Sequence, residues 1–232
     1  KQAGRTERAT LLETLLREGA CILTHPEENE YLILPRFLGP VCALLTACRV
    51  AEALAPGCCG GPAALAQIPD RFHPIPCAAA DAAEAAAELR HHPVFLFSNS
   101  VGLYAQNLAA KCMETLLTPP PLVADCFTYA HGLFQVHCAL PAAKWLFCSA
   151  DADEADLFAR LEPLLRRSGP LRVLRSTLPP PLAVFDFEAR LNAILLAILE
   201  QEMIDLVKWP GQGQDGEGYG IHLPGPGVWG GA

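Results

Sequence analysis

The stretch FLFSNSVGLYAQNLAAKCMETLLTPPPLVADCFTYAHGLF, which covers Phe95 to Phe134, decides the predicted fold. It combines a buried strand that begins at Val94, a polar turn of Ser98, Asn99 and Ser100, and a helix. In a strand–turn–helix unit, the N–H groups that open the helix face the carboxyl end of the strand, where open parallel sheets bind ligands such as phosphate. The turn is therefore predicted either to line a ligand crevice or to act only as a turn.

The helix of this stretch carries Lys111 and Glu114, one turn apart on one face. A cation and a carboxylate beside an anion site are suited to acid–base chemistry on a sugar phosphate. The same two residues also fit an ordinary surface ion pair, which contributes little to stability. The following loop is predicted to end at His131 and Gly132, where the histidine either contacts a ligand or caps a helix.

The bulk composition predicts a folded domain and excludes some partners. The chain has 232 residues, of which 51% are hydrophobic and 18% are charged, which is enough for one large or two small domains with a real core. The net charge of −8 and the absence of a long Lys/Arg run exclude a nucleic-acid partner. The longest apolar run, near Leu191 to Leu199, is too short to span a bilayer, so no membrane partner is expected.

The ten cysteines are predicted to be reduced and mostly structural. Most lie in apolar patterns, where a free cysteine packs as a small hydrophobe, and no C-x-x-C pair occurs. The adjacent Cys58 and Cys59 are interpreted as incidental rather than redox-active, and His137 and Cys138 with Cys126 fit no familiar metal site. We therefore expect a cytoplasmic protein without metal or cofactor.

Strands alternate with helices of ten to twenty residues along most of the chain, which predicts an α/β fold with a mostly parallel sheet in a three-layer αβα sandwich. The order helix–strand–strand–helix occurs in the first part and again over 151–207, which indicates two related halves, the first incomplete. The predicted units are a partial first half with a linker at 1–76, a second half at 77–208 and a Gly/Pro-rich arm at 209–232. The predicted strands are 20–24, 31–34, 94–97, 144–148, 171–174 and 183–185, and the main helices are 39–55, 78–90, 151–168 and 188–207.

Two regions of the chain resemble the sugar isomerase (SIS) domain family, and most closely the isomerase domains of glucosamine-6-phosphate synthase and related aldose–ketose isomerases. The segment QAGRTERATL, from Gln2 to Leu11, is similar to the S-x-S-G-x-T-x-D-T loop of a first SIS unit. The central stretch is similar to a second unit, with K-x-x-E at Lys111 and Glu114 and an H-G pair at His131. In element order the resemblance covers most of residues 1–207.

The resemblance implies a site for a phosphosugar between the two halves. It implies that Glu114 moves the proton between C1 and C2, that Lys111 lies close to the sugar oxygens, and that His131 assists ring opening. Gln2 and Thr6 match phosphate-loop positions, although Thr6 also fits a helix N-cap. This chemistry needs a base with a pKa near neutral and a group that stabilises an enediolate oxygen, and it needs no metal.

The sequence also departs from the family pattern. Lys1 and Ala3 replace hydroxyl donors of the first loop, Asn107 replaces a second carboxylate, and Leu133 replaces the proline of H-G-P. The leading hypothesis is a sugar-phosphate isomerase that forms a homodimer. The alternative is a non-catalytic SIS module that binds or senses a phosphosugar or mediates dimerisation, and a hydrolase built with the C-terminal arm is a third possibility.

Overall fold

A computed structural model describes residues 13–14, 16–18, 33–73, 75–98 and 101–214 of the chain. Several predictions fall outside these residues: the strand at 20–24, the turn residues Asn99 and Ser100, the loop residues Gln2 and Thr6, and the arm beyond 214. The described residues between 13 and 17 are helical, as the sequence predicts.

The described strands form one sheet in which all strands are parallel, so the predicted α/β class is confirmed. The spatial order is β2-β1-β3-β4, and Val94 of β1 lies opposite Leu122 of β2 and Lys144 of β3. The second of these strands was not predicted, because the sequence between the central helix and His131 reads as a loop. The strands are β1 (Val94–Phe97), β2 (Leu122–Asp125), β3 (Lys144–Cys148) and β4 (Leu171–Arg175).

The helices connect and cover these strands. None of the helices in the described ranges is long and apolar enough to cross a membrane. The helices are α1 (Gly39–Leu54), α2 (Pro62–Ala66), a 3-10 helix (Pro69–Phe72), α3 (Ala79–Arg90), α4 (Gly102–Leu116), α5 (Cys126–Thr128), a π-helical turn (Tyr129–Leu133), α6 (Phe134–Ala139), α7 (Ala152–Arg167) and α8 (Ala183–Glu202).

Three sequence predictions about these elements are wrong. The residues 183–185 open α8 instead of forming a strand, because α8 is buried on almost every side and a short buried apolar run has no diagnostic period. Ile33 and Leu34, the described half of the predicted second strand, form a bend before Pro35, which has no N–H for a strand ladder. The predicted loop before His131 is helical, because the Asp125 carboxylate caps it by accepting the N–H groups of Phe127 and Thr128.

Helices cover both faces of the sheet, which gives three layers. On one face, the rings of Phe95, Phe97, Trp145 and Phe147 pack against α3, α4 and α8, and the rings of Phe97 and Phe147 stack at 4.2 Å. On the other face, the strand side chains between these rings pack against α7 and the segment from α5 to α6. The strands are therefore almost continuously apolar, as expected when both faces of a parallel sheet are covered.

A third core cluster lies beside α8. Val41 and Cys48 of α1 pack there with Ile68 and with Phe185 of α8. The segment 56–76, the end of the unit 1–76 that is predicted as a partial half with a linker, carries α2 and the 3-10 helix and supplies Cys59, Leu65 and Ile68 to this cluster. The first part of the described chain is thus packed against the last helix.

Candidate functional site

The described strands have one topological switch point, between β1 and β3. From β1 the chain passes through α4 to β2 on one side, and from β3 it passes through α7 to β4 on the other side. Because α4 and α7 cover opposite faces, the loops after β1 and β3 leave a crevice at the carboxyl edge between them, which is where open α/β sheets bind ligands. Ser98 follows β1 at this crevice, as the sequence predicts, and Ser149 follows β3.

The two serines are held in place at this edge. Both are buried, and the Ser149 hydroxyl donates a 2.7 Å hydrogen bond to the Glu154 carboxylate in the first turn of α7. The helix α4 begins at Gly102, four residues after Ser98, and the side chain of its N-cap residue, Val101, satisfies none of the open N–H groups. The described part of this crevice therefore contains two buried serine side chains and the N-terminus of α4, whose N–H groups suit an anion.

The pair Lys111 and Glu114 lies far from this crevice. With a rise of about 1.5 Å per residue, Glu114 is about 18 Å along α4 from Gly102. A single sugar phosphate is too short to contact both Ser98 and Glu114. The structure thus divides the predicted site residues of the central stretch into two groups at opposite ends of α4.

The ammonium group of Lys111 pairs with Glu188 of α8 rather than with Glu114. Its Nζ atom donates to the Glu188 carboxylate and, over 3.0 Å, to Oδ1 of Asn192. The ring of Phe37 lies 5.6 Å from the same atom. Lys111 is only 3% exposed and Glu188 is fully buried, so this is a core ion pair that joins two helices.

Glu188 is the centre of a buried polar cluster that the sequence analysis does not predict. Its Oε1 atom accepts hydrogen bonds from the Tyr104 hydroxyl at 2.7 Å and from the Asn107 amide at 3.0 Å. The Asn107 amide donates to the Glu188 carboxylate. A carboxylate at position 107, as in the SIS family pattern, would instead repel Glu188. Burial and the negative charge of Glu188 raise the pKa of Tyr104, which remains a neutral donor. The one signal in the sequence is a Glu and an Asn, four residues apart, within a long and largely apolar helix.

Glu114 lies half-buried on α4, one turn beyond Lys111. Burial raises the pKa of its carboxyl group, and the positive charges of Arg36 and Lys111 partly oppose that shift. Arg36 precedes α1, so Glu114 lies where the first part of the chain meets the central helix. A carboxyl group with a raised pKa at such a junction has the properties of a general base.

His131 lies in a different layer from Glu114. It is exposed on the π-helical turn, whose Tyr129 packs on the sheet face opposite to α4. Within one chain the sheet therefore separates the predicted ring-opening histidine from the predicted base. A π-helical turn is rare and frequently marks a functional position, so the place of His131 on one is informative.

Two cavities open along α8. The first, of about 440 Å³, is lined by Phe37, Leu38, Phe72, Leu196 and the Lys111 partner Asn192, so it borders the buried polar cluster. The second, of about 600 Å³, contains three arginines, but Arg71 pairs with Asp186 and Arg172 pairs with acidic residues of α3. Both volumes fall within the range of small-molecule sites, and the first has the more apolar wall.

Among the described residues, one group has the donors for a metal ion: Glu52, Cys58 and Cys59, at the end of α1. Its Cys59 belongs to the third core cluster, and none of the three belongs to the polar cluster around Lys111.

A search with protein-family models and a search of curated proteins both found no match for this chain.

Proposed function

We propose that this protein is an SIS-type phosphosugar isomerase whose general base is Glu114. The observation that carries the proposal is the half-buried carboxyl group of Glu114, whose pKa is raised and which faces the positive charges of Arg36 and Lys111. In this arrangement the ionised carboxylate accepts a proton from one sugar carbon, and its raised pKa makes it a stronger base than an exposed glutamate.

The proposed reaction moves one proton between neighbouring carbons. For an aldose substrate, the Glu114 carboxylate takes the proton from C2, and the electrons of that bond form the enediolate. The hydroxyl proton of O2 passes to O1, and the same carboxyl group returns the carbon-bound proton to C1, which yields the ketose with its carbonyl group at C2. The charge of Arg36 favours the negative enediolate, whereas the charge of Lys111 is largely neutralised by Glu188 and contributes less.

The phosphate of this substrate requires a second element. Ser98 lies at the far end of α4, so the turn that it opens with Asn99 and Ser100 would hold the phosphate of a different ligand from the one that contacts Glu114. In the two-half hypothesis, the loop with Gln2 and Thr6 supplies the phosphate contacts near Glu114. That loop is outside the described residues.

His131 can take part in the proposed reaction only at a site that is shared with a second copy of the chain. In one chain it projects from the layer opposite to α4, so a site that uses both His131 and Glu114 needs a homodimer. Mixing the inactive variants Glu114→Gln and His131→Asn tests this point. Recovery of activity in the mixed dimer supports a shared site, and no recovery contradicts it.

A non-catalytic phosphosugar-binding module is the second candidate, and the burial of Lys111 favours it. An ammonium group that is 3% exposed and bound to Glu188 and Asn192 has a structural role and cannot touch a sugar oxygen in this conformation. In this second candidate function, the protein binds a phosphosugar in a crevice but does not catalyse its isomerisation.

The experiment that separates the two candidates measures binding and proton exchange on the same samples. Calorimetry with a panel of hexose phosphates detects binding, and proton NMR in D₂O detects exchange at C2 and formation of the other sugar. Isomerase activity predicts binding together with exchange, and Glu114→Gln abolishes exchange while the substrate still binds. Binding without exchange supports the non-catalytic module, and no binding of any hexose phosphate contradicts both.

A further inference from the structure

Three thiols and one carboxylate converge where α1 meets the loop that follows it. Cys48 and Glu52 lie one turn apart on α1, and Cys58 and Cys59 lie in the loop. The Sγ atoms of Cys58 and Cys59 are 3.7 Å apart, and the ligand atoms of Glu52, Cys58 and Cys59 all lie within 4.8 Å of one another. The thiol of Cys48 interacts with that of Cys59 but lies outside this group of three.

The loop is shaped so that its cysteines lie over Glu52. Gly57 and Gly60 adopt φ values of +91° and +75°, which a residue with a Cβ atom rarely adopts, and they turn the chain back onto α1. The buried Glu52 carboxylate accepts the N–H of Gly57 at 2.6 Å and the N–H of Cys59 at 2.9 Å. The backbone hydrogen bonds therefore hold these donor groups close together without a bound metal ion.

We propose that this cluster, Cys58, Cys59 and Glu52, is a binding site for Zn²⁺ whose fourth position is filled by water or by the neighbouring Cys48 thiol. Two sulfur donors and one oxygen donor, together with a fourth ligand, match the tetrahedral coordination that zinc prefers. For a Zn–S bond of about 2.3 Å, a tetrahedron places neighbouring sulfurs about 3.8 Å apart, and the Cys58 and Cys59 sulfurs already have this separation. Thiolates also select against Mg²⁺ and Ca²⁺, which take oxygen ligands.

The cluster is accessible from solvent and is connected to the core. Cys58 is exposed, and Glu52 lines an outer cavity of about 460 Å³ between α1 and α2. Cys48 and Cys59 are buried in the third core cluster with Leu65 and Ile68. A zinc ion here would therefore fasten α1 to the loop and to the helices that pack on α8. This inference does not depend on the proposed isomerase function.

Cobalt titration of the full chain, reduced and freed of metal, tests the proposal. Co²⁺ bound by thiolates in a tetrahedral site gives a charge-transfer absorption band, and added Zn²⁺ removes it by displacing Co²⁺. We expect one equivalent of Co²⁺ per chain and a rise in Tm when Zn²⁺ is added. A chain that takes up no stoichiometric Co²⁺ overturns the proposal.

The exposed Cys58 provides the decisive variant, because its replacement leaves the core packing intact. Cys58→Ser is expected to weaken metal binding by at least about 100-fold, since loss of a ligand costs no less than loss of a supporting contact. Cys138→Ser, at an exposed thiol on α6, is the matched control and is expected to bind as the parent does. Circular dichroism of all samples verifies that the helix content is unchanged. Equal binding by the Cys58 variant, or loss of binding by the Cys138 variant, contradicts the site.

Discussion

The ion pair between Lys111 and Glu188 predicts a large and specific loss of stability when one partner is neutralised. Glu188→Gln leaves the Lys111 ammonium group buried, with Asn192 as its remaining hydrogen-bond acceptor in the cluster. The substituted glutamine side chain keeps an oxygen for Tyr104 and Asn107, so the change isolates the lost negative charge. Breaking a buried pair in this way costs about 3–5 kcal/mol, and we expect the free energy of unfolding to fall by that amount.

A double-mutant cycle in urea, followed by circular dichroism, measures this effect. The variant Lys111→Met with Glu188→Gln removes both charges, and we expect it to be at least about 2 kcal/mol more stable than the sum of the single changes implies. Asp156→Asn is the matched control, because Asp156 and Arg160 form an exposed i,i+4 pair on α7, and it should cost less than about 1 kcal/mol. A loss below about 1 kcal/mol for Glu188→Gln, or strict additivity in the cycle, would refute the reasoning from burial.

Two further predictions concern stability. Burial lowers the pKa of Lys144 to about 8, while an unfolded lysine has a pKa of about 10.4, so the unfolded chain binds more protons between these values. The free energy of unfolding should therefore rise with pH from about 8 to about 10.4, and Lys144→Met, but not the exposed Lys208→Met, should remove that contribution in a series of urea titrations. Asp125→Ala removes the two N–H contacts that start α5 and should cost about 1 kcal/mol, whereas Asp125→Asn keeps the cap. Equal stability of the two Asp125 variants would contradict the capping role.

The sequence predicts the strands β1, β3 and β4 well and the strand β2 poorly. The strands β1 and β3 are fully buried, so their apolar runs stand out between polar loops. The edge strand β2 has only four residues, follows three prolines, and begins with Leu122, which is 48% exposed. An edge strand that is short and only partly covered lacks both the apolar run and the alternation that a sequence pattern can detect.

The residues of the candidate site are likewise predicted only in part from the sequence. Ser98 is placed correctly at the carboxyl edge, because a strand followed by a turn and a helix determines that position locally. The ion-pair partner of Lys111 is Glu188, which is 77 residues further along the chain. The spacing of residues in the sequence instead predicts the neighbouring Glu114 as the partner. The cluster of Cys48 with Cys59 likewise depends on a turn set by two glycines. Side-chain partners from distant segments are decided by packing, which spacing alone does not encode.

The burial of Lys111 and Lys144 also makes them built-in chemical reporters. An amine-reactive reagent modifies a lysine only when its Nζ atom is accessible, and both atoms are buried in the folded chain. Lys111 belongs to the layer of α4 and α8, and Lys144 faces the opposite layer near Gly169. Labelling each of them over time, read by mass spectrometry with the exposed Lys208 as the internal standard, therefore reports how often each side of the sheet opens, without any engineered probe.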